Sequence, residues 1–182
     1  MRYAITGSIG TGKSTIANIF KERGFSVYDA DKIVHELYQD KDVLKEVEKM
    51  FPEAFVAGKM DTKVIANVIF SNPERKKELE SFIHPLVKNK IMLLDNCIVE
   101  VPLLFESKMD YLFDKIILVY CKKEDQIKRI MNRDKVTKKE ALQRINSQID
   151  IETKKALSDY IVNNVGELKE VYKQVDDIIR DL

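Results

Sequence analysis

The chain is predicted to be an α/β protein with a five-stranded parallel sheet between layers of helices. Three observations predict it. Five short apolar runs read as strands and alternate with helical patterns. One of them, "KIILVYC", is apolar almost throughout instead of alternating, as suits a strand covered on both faces. The first run ends in a glycine loop that leads straight into a helix.

The elements follow in order. "RYAIT" is β-rich and stops at Gly7, and "KSTIANIFKERG" carries Ile16, Ile19 and Phe20 at helical spacing before Gly24, a candidate C-cap. "FSVYDAD" reads as the second strand, running into a helix at "KIVHELY". From about residue 40 to residue 95 the pattern is helical and charged, with an interruption expected at Pro85. "CIVEVPLLF", "KIILVYC" and "DYIVNN" supply three more strands, and "ELKEVYKQVDDIIRDL" a closing helix. The core is therefore expected over 1–31, 96–121 and 151–182, with an all-helical insertion over about 32–95.

Composition excludes several functions. The 182 residues are 45% hydrophobic and 34% charged with a net charge of +1, which lacks the basic excess of a nucleic-acid binder. No apolar run approaches the roughly 18 residues that span a bilayer, and the first residues carry no secretory pattern, so a cytoplasmic protein is expected. The two cysteines, Cys97 and Cys121, sit in apolar runs without metal-ligand spacing and read as buried small side chains.

"GSIGTGKS", Gly7 to Ser14, fits the phosphate-loop pattern G-x-x-x-x-G-K-[ST] without a mismatch, and lies between a strand and a helix as that pattern requires. Gly10, Thr11, Gly12, Lys13, Ser14 and Thr15 are the candidate nucleotide-binding residues. Glycines let successive backbone N–H groups turn inward toward phosphate oxygens, and the helix start adds its positive end. Lys13 is expected at the β- and γ-phosphates and Ser14 at a Mg²⁺ ion, making ATP the expected co-substrate. A dinucleotide fingerprint fails because Thr15 stands where its last glycine belongs.

Other phosphate-loop chemistries fit less well. No glycine has Asp three residues before it, as the GTPase D-x-x-G requires, and "KKED" at Lys122 to Asp125 lacks the amide of a guanine reader. The protein-kinase asparagine expected after "NRD" is Lys139. "DQIKRIMNRD" sets Arg129 and Arg133 four apart on one helix face, suited to a lid over about 122–150 that covers the phosphates and neutralises the transferred group. Arg144 and Gln148 are weaker candidates for that face. The alternative for the lid is a solvated charged helix, since Lys122, Lys123, Lys128 and Lys135 crowd the region.

"TGSIGTGKST", "YDADKIVHEL", "FIHPLV", "EVPLLFE", "RIMNRD" and "YIVNN" together resemble the dephospho-coenzyme A kinase family, in order and over nearly the whole chain. The phosphate loop is generic; "DAD", "HPL" and "VPLLFE" at these separations are more specific. Ser8 departs from the family's usual second glycine, at an unconstrained position of the cradle. The resemblance implies a P-loop kinase fold with a helical substrate domain and a lid. It also implies transfer of the ATP γ-phosphoryl to the ribose 3′-hydroxyl of dephospho-coenzyme A. Its "DAD" assigns Asp31 as the base or orienting carboxylate, with Asp29 close behind; the alternative is that Asp31 caps the helix expected from Lys32.

His84, Pro102, Leu103 and Phe105 are candidates for the acceptor pocket, with ordinary core as their alternative. Glu100 could hold Mg²⁺ through water, and Asn163 and Asn164 sit where this fold contacts the ATP base. The expected partners are ATP and dephospho-coenzyme A alone, in a monomer or weak homo-oligomer. A kinase of another small acceptor, or an ATP-dependent switch, stays open as the alternative.

Overall fold

The computed structural model describes residues 1–182, which divide into two compact units: Met1–Ala30 with Leu94–Leu182, and Asp31–Leu93. The first holds a five-stranded sheet built from β1 (Arg2–Thr6), β2 (Ser26–Asp29), β5 (Cys97–Glu100), β6 (Lys115–Tyr120) and β7 (Tyr160–Asn163). The strand order is β2-β5-β1-β6-β7, and every pairing is parallel. All five runs expected as strands are present.

Both faces of this sheet are covered. Tyr3, Ile5, Ile98, Ile117, Val119 and Val162 share one core with Ile16, Ile19 and Phe20 of α1 (Lys13–Glu22) and Val171 and Val175 of α9 (Leu168–Asp181). Alternate residues Ala4, Val99, Ile116 and Leu118 are buried as well, which explains why "IILV" carries no polar alternation. Each such buried Val, Leu, Ile or Phe side chain contributes about 1.5–3 kcal/mol. α1 ends as its sequence foretells: Gly24 N–H donates to Lys21 O at 2.9 Å and Phe25 N–H to Phe20 O at 3.1 Å. The Phe20 and Phe25 rings meet edge to face, 5.6 Å apart, beside that turn.

Strand three is shorter than expected. β5 stops at Glu100, and 102–108 form turns, because Pro102 has no N–H to give a ladder and fixes its own φ. After β6 come α6 (Lys123–Asp134), α7 (Lys138–Asn146) and α8 (Ile151–Ala156), the last packing on β6. Thr137 and Glu140 form a reciprocal cap at the start of α7.

The second unit contains α2 (Ala30–Leu37, begun one residue inside the first unit), α3 (Lys41–Met50), α4 (Thr62–Ser71) and α5 (Pro73–Met92). Asp40, Asp61 and Asn72 each cap a following helix by accepting two backbone N–H groups. The block is not all helical: β3 (Phe55–Val56) and β4 (Lys59–Met60) make a hairpin across Ala57 and Gly58, both at positive φ. Nor does Pro85 interrupt α5, which continues to Met92. The proline costs one backbone bond and crowds the preceding turn, while Leu79, Ile83, Val87 and Ile91 keep one buried stripe running past it.

No helix is long and apolar enough to cross a membrane. Cys97 and Cys121 are free and fully buried, as expected, and burial pushes both thiols up from their ordinary range.

Candidate functional site

The glycine loop fills the turn from β1 to α1, at the carboxyl edge of the sheet, where open α/β sheets take their ligands. Gly12 precedes α1 at φ 88° and ψ 36°, a left-handed conformation that only glycine adopts cheaply, and no side chain caps the helix there. No side-chain cap therefore competes with an anion at this helix start, although the Thr15 N–H donates to Gly12 O at 3.1 Å. Gly10 answers a second constraint: a Cβ on it would come within 3.0 Å of Gln126 O and 3.1 Å of Ile130, so its bareness lets α6 lie against the loop.

The loop is held from several sides. Thr11 is buried, and its Oγ1 donates to Ser8 O at 2.9 Å. Lys13 Nζ donates to Gly7 O at 2.9 Å and Ser8 O at 3.4 Å, lying back across the turn. Arg129, reaching over from α6, donates through Nη1 to Thr11 O at 3.0 Å and through Nη2 to Asn164 O at 2.6 Å. Asn164 Nδ2 donates to Thr11 O at 2.7 Å. Ile9 N–H donates to Gln148 Oε1 at 2.8 Å.

Over this loop opens a cavity of about 670 Å³, within the usual range for a small-molecule site. Its walls bring together Gly10, Gly12, Lys13, Ser14, Glu100, Pro102, Arg129, Arg133 and Gln148, all expected from the sequence, and add Ile9 and Asn132. Asn132 is not among the expected residues, although its place three residues after Arg129 on the same helix face is a usable signal. Glu100 ends β5 and pairs in register with Asp29, the last residue of β2, so the sheet sets two carboxylates side by side at its carboxyl edge.

Arg133 and Arg144 both engage Asp134, at 2.6 Å each. The Arg133 hydrogen bond holds the Asp134 carboxyl below the usual carboxylate range, and Arg133 is raised in turn. Arg144 is not among the cavity walls.

Other expected residues lie elsewhere. Thr15 is exposed on α1. Asn163 exchanges hydrogen bonds with Gln174, and it is Asn164 that reaches the loop. Leu103 is exposed and Phe105 half-buried, while the neighbouring Leu104 enters the core. In the second unit, Asp31 stands inside the first turn of α2; because that helix starts at Ala30, Asp31 is not at the cap position. His84 is half-buried within α5.

A further charged group lies outside every expectation. Lys154 in α8 is fully buried, and its Nζ lies 2.8 Å from Glu106 Oε1, at the end of "VPLLFE". The same oxygen accepts Ile149 N–H at 3.0 Å. No local pattern marks a lysine for burial, so only the closing acid of that signature hints at it.

The family model for dephospho-CoA kinase matches residues 1–170. A dephospho-CoA kinase of Helicobacter pylori strain J99 is 37% identical over 190 residues, spanning 98% of this chain and 96% of its own. Among solved structures, that of a Thermus thermophilus protein superposes with a TM-score of 0.86 at 31% identity, covering 100% of this chain and 97% of its own. That of a dephospho-CoA kinase from Campylobacter jejuni has a TM-score of 0.75 at 35% identity, covering 99% and 96%.

Proposed function

The chain belongs to the dephospho-CoA kinase family and phosphorylates dephospho-CoA in CoA biosynthesis with ATP as co-substrate; from that premise we propose how its residues divide the work. The observation that carries the reading is that one cavity joins phosphate-loop residues Gly10, Gly12, Lys13 and Ser14 to the Glu100 carboxylate and the Arg133 guanidinium. A triphosphate fits that chemistry: backbone N–H donors below it and two cationic side chains beside it.

Transfer breaks the bond between the γ-phosphorus and the oxygen that leaves with ADP. A bond forms to the ribose 3′-oxygen of dephospho-CoA, whose proton passes to the Asp31 carboxylate. The transition state is loose and anionic, so positioning and neutralisation supply most of the acceleration. Lys13 and Arg133 bear on the transferred group, and Arg129 keeps the loop in shape through the carbonyls it holds. Asp31 follows Asp29 by two residues at the carboxyl edge of β2, which with the "DAD" resemblance supports its role as base. Asp29, His84, Pro102, Leu103 and Phe105 serve the acceptor, and segment 122–150 closes as a lid that keeps water from the γ-phosphate.

The Ser14 hydroxyl and Glu100 carboxylate are hard oxygen donors on one cavity, and fit Mg²⁺. When bound, the ion would neutralise phosphate charge and orient the triphosphate.

We place the protein in the cytoplasm, supported by its buried free thiols, as a monomer or weak homo-oligomer without nucleic-acid or membrane partners, supported by its net charge of +1. Light scattering at two concentrations checks the assembly state. The activity test incubates the protein with ATP, Mg²⁺ and dephospho-CoA and looks by mass for one added phosphate, with adenylate and shikimate as competing acceptors. Addition to dephospho-CoA alone is expected; phosphorylation of a competitor in its place would overturn the acceptor.

A further inference from the structure

The pair formed by buried Lys154 and half-buried Glu106 has no direct place in phosphoryl transfer, and stability does not account for it either. Burying the Lys154 ammonium costs several kcal/mol, and apolar residues of similar size commonly do as well or better. Here the pair is also incompletely satisfied: Lys154 Nζ makes the 2.8 Å ion contact without an aligned hydrogen bond, and Glu106 Oε2 is buried without a hydrogen-bond partner. What the arrangement does supply is direction. With Lys154 fixed in α8, one Glu106 oxygen is aimed at Ile149 N–H, which it accepts at 3.0 Å.

The residue before Ile149 is Gln148, whose Oε1 accepts Ile9 N–H at 2.8 Å. Ile9 and Gln148 are both walls of the cavity over the glycine loop. A chain of contacts therefore runs from the turn after β5, through the link between α7 and α8, to the early part of the phosphate loop. Its steps are an ion contact, the hydrogen bond from Ile149 N–H to the Glu106 carboxylate, one peptide unit with the Gln148 side chain, and the hydrogen bond from Ile9 N–H to Gln148 Oε1.

We infer that Glu106, locked by Lys154, is a positioning residue for the ATP cradle: it holds Ile149 so that Gln148 fixes Ile9 and with it the loop's phosphate-binding shape. The inference rests on the reading that the cavity takes ATP. Its consequence is a selective one. Loss of the Glu106 acceptor loosens the loop before the nucleotide arrives, so ATP affinity falls, while turnover at saturating ATP, where the triphosphate itself orders the loop, is retained.

Two charge-free double variants separate this from mere packing. Glu106→Gln with Lys154→Met keeps an oxygen that accepts Ile149 N–H; Glu106→Leu with Lys154→Met removes it. Binding of a fluorescent ATP analogue is titrated without acceptor, and thermal melting and kcat at saturating ATP with dephospho-CoA are measured beside it. The Gln variant is expected to bind within about twofold of the wild type, and the Leu variant about fivefold more weakly, the factor one hydrogen bond is worth. Both should melt alike and keep kcat within about twofold.

Unchanged binding in the Leu variant would overturn the inference, and so would equal weakening in both. Should either double variant fail to fold, Gln148→Ala decides: a folded Gln148→Ala protein binding the analogue as tightly as wild type overturns it, and weaker binding supports it. Wild-type protein that does not bind the analogue overturns the ATP reading and the inference together. Wild-type protein that binds it without phosphorylating dephospho-CoA fails the acceptor reading alone, since the binding comparison uses no acceptor.

Discussion

Gly12 and Asn164 leave no room for a side chain between them: a Cβ on Gly12 would stand 2.2 Å from Asn164 Nδ2. Asn164 cannot simply withdraw, because that nitrogen donates to Thr11 O and the residue's own carbonyl accepts from Arg129. Gly12→Ala thus meets two penalties, a left-handed backbone at φ 88° and the broken Asn164 contact, about 1 kcal/mol each. Urea melts should show a loss of about 2 kcal/mol, and ATP titration a drop in affinity of about tenfold or more. In the double variant with Asn164→Ala the two losses should not add, since the collision is then gone. Additive losses would show that the collision is not the cause.

Lys13 lies across the loop with its ammonium on Gly7 O and Ser8 O. The role proposed for it is at the transition state, so Lys13→Met should lower kcat roughly 10³-fold, the scale for losing a preorganised electrostatic partner. The melting temperature should move little, because the Lys13 Nζ bonds to Gly7 O and Ser8 O are partly open to solvent. A variant retaining more than about a tenth of wild-type kcat would remove Lys13 from the chemistry.

Asp31→Asn tests the base. The amide keeps the shape but cannot take a proton, so turnover with dephospho-CoA should fall by about 10²–10⁴ while ATP binding stays near wild type. As Asp31 lies inside the first turn of α2 instead of capping it, the substitution also removes the few tenths of a kcal/mol by which an acid favours a helix start. Near-normal turnover would assign the carboxylate a structural part and move the search to Asp29.

What the sequence made legible was whatever depends on short spacing. Gly7, Gly10, Gly12, Lys13 and Ser14 announce a phosphate loop because each acts within one turn of chain, and the uninterrupted apolar run of β6 announces a strand buried on both faces. The failures share the opposite character. The Ala57-Gly58 turn lacks the Asn or Asp that marks a hairpin, and α5 passes Pro85 because its apolar stripe outweighs one lost bond. Thr11 and Asn164 are 153 positions apart, and Glu106 and Lys154 meet only once β5 and β6 are paired with β1, so no local pattern announces either contact. The family resemblance named the motif that contains Glu106 without saying what its carboxylate holds.

Asp159 offers a test in which pH is the variable. It pins the start of β7 to β6: Oδ2 accepts Ile116 N–H and Oδ1 accepts from Lys115 Nζ, both at 2.8 Å, while its own N–H donates to Ile116 O at 3.0 Å. Burial alone would raise its pKa, but Lys115 and the Ile116 N–H overcome that and hold the carboxyl below its ordinary 3.8. The hydrogen bond with Asp159 raises Lys115 above its ordinary 10.5. A depressed carboxyl stabilises the fold fully above the unfolded value and loses that contribution as pH falls through the folded one. A raised ammonium does the reverse, contributing below 10.5 and losing it as pH climbs past the folded value. Urea melts of wild type and Asp159→Asn should therefore differ by a constant amount between about pH 5 and pH 9, with wild type the more stable. The gap should close as pH falls below 3.8 and narrow as it climbs past 10.5, where the Asp159 carboxylate still accepts the Ile116 N–H. A gap that persists unchanged into strong acid would mean that the hydrogen bonds to Ile116, and not the charge on Asp159, hold β7 in register.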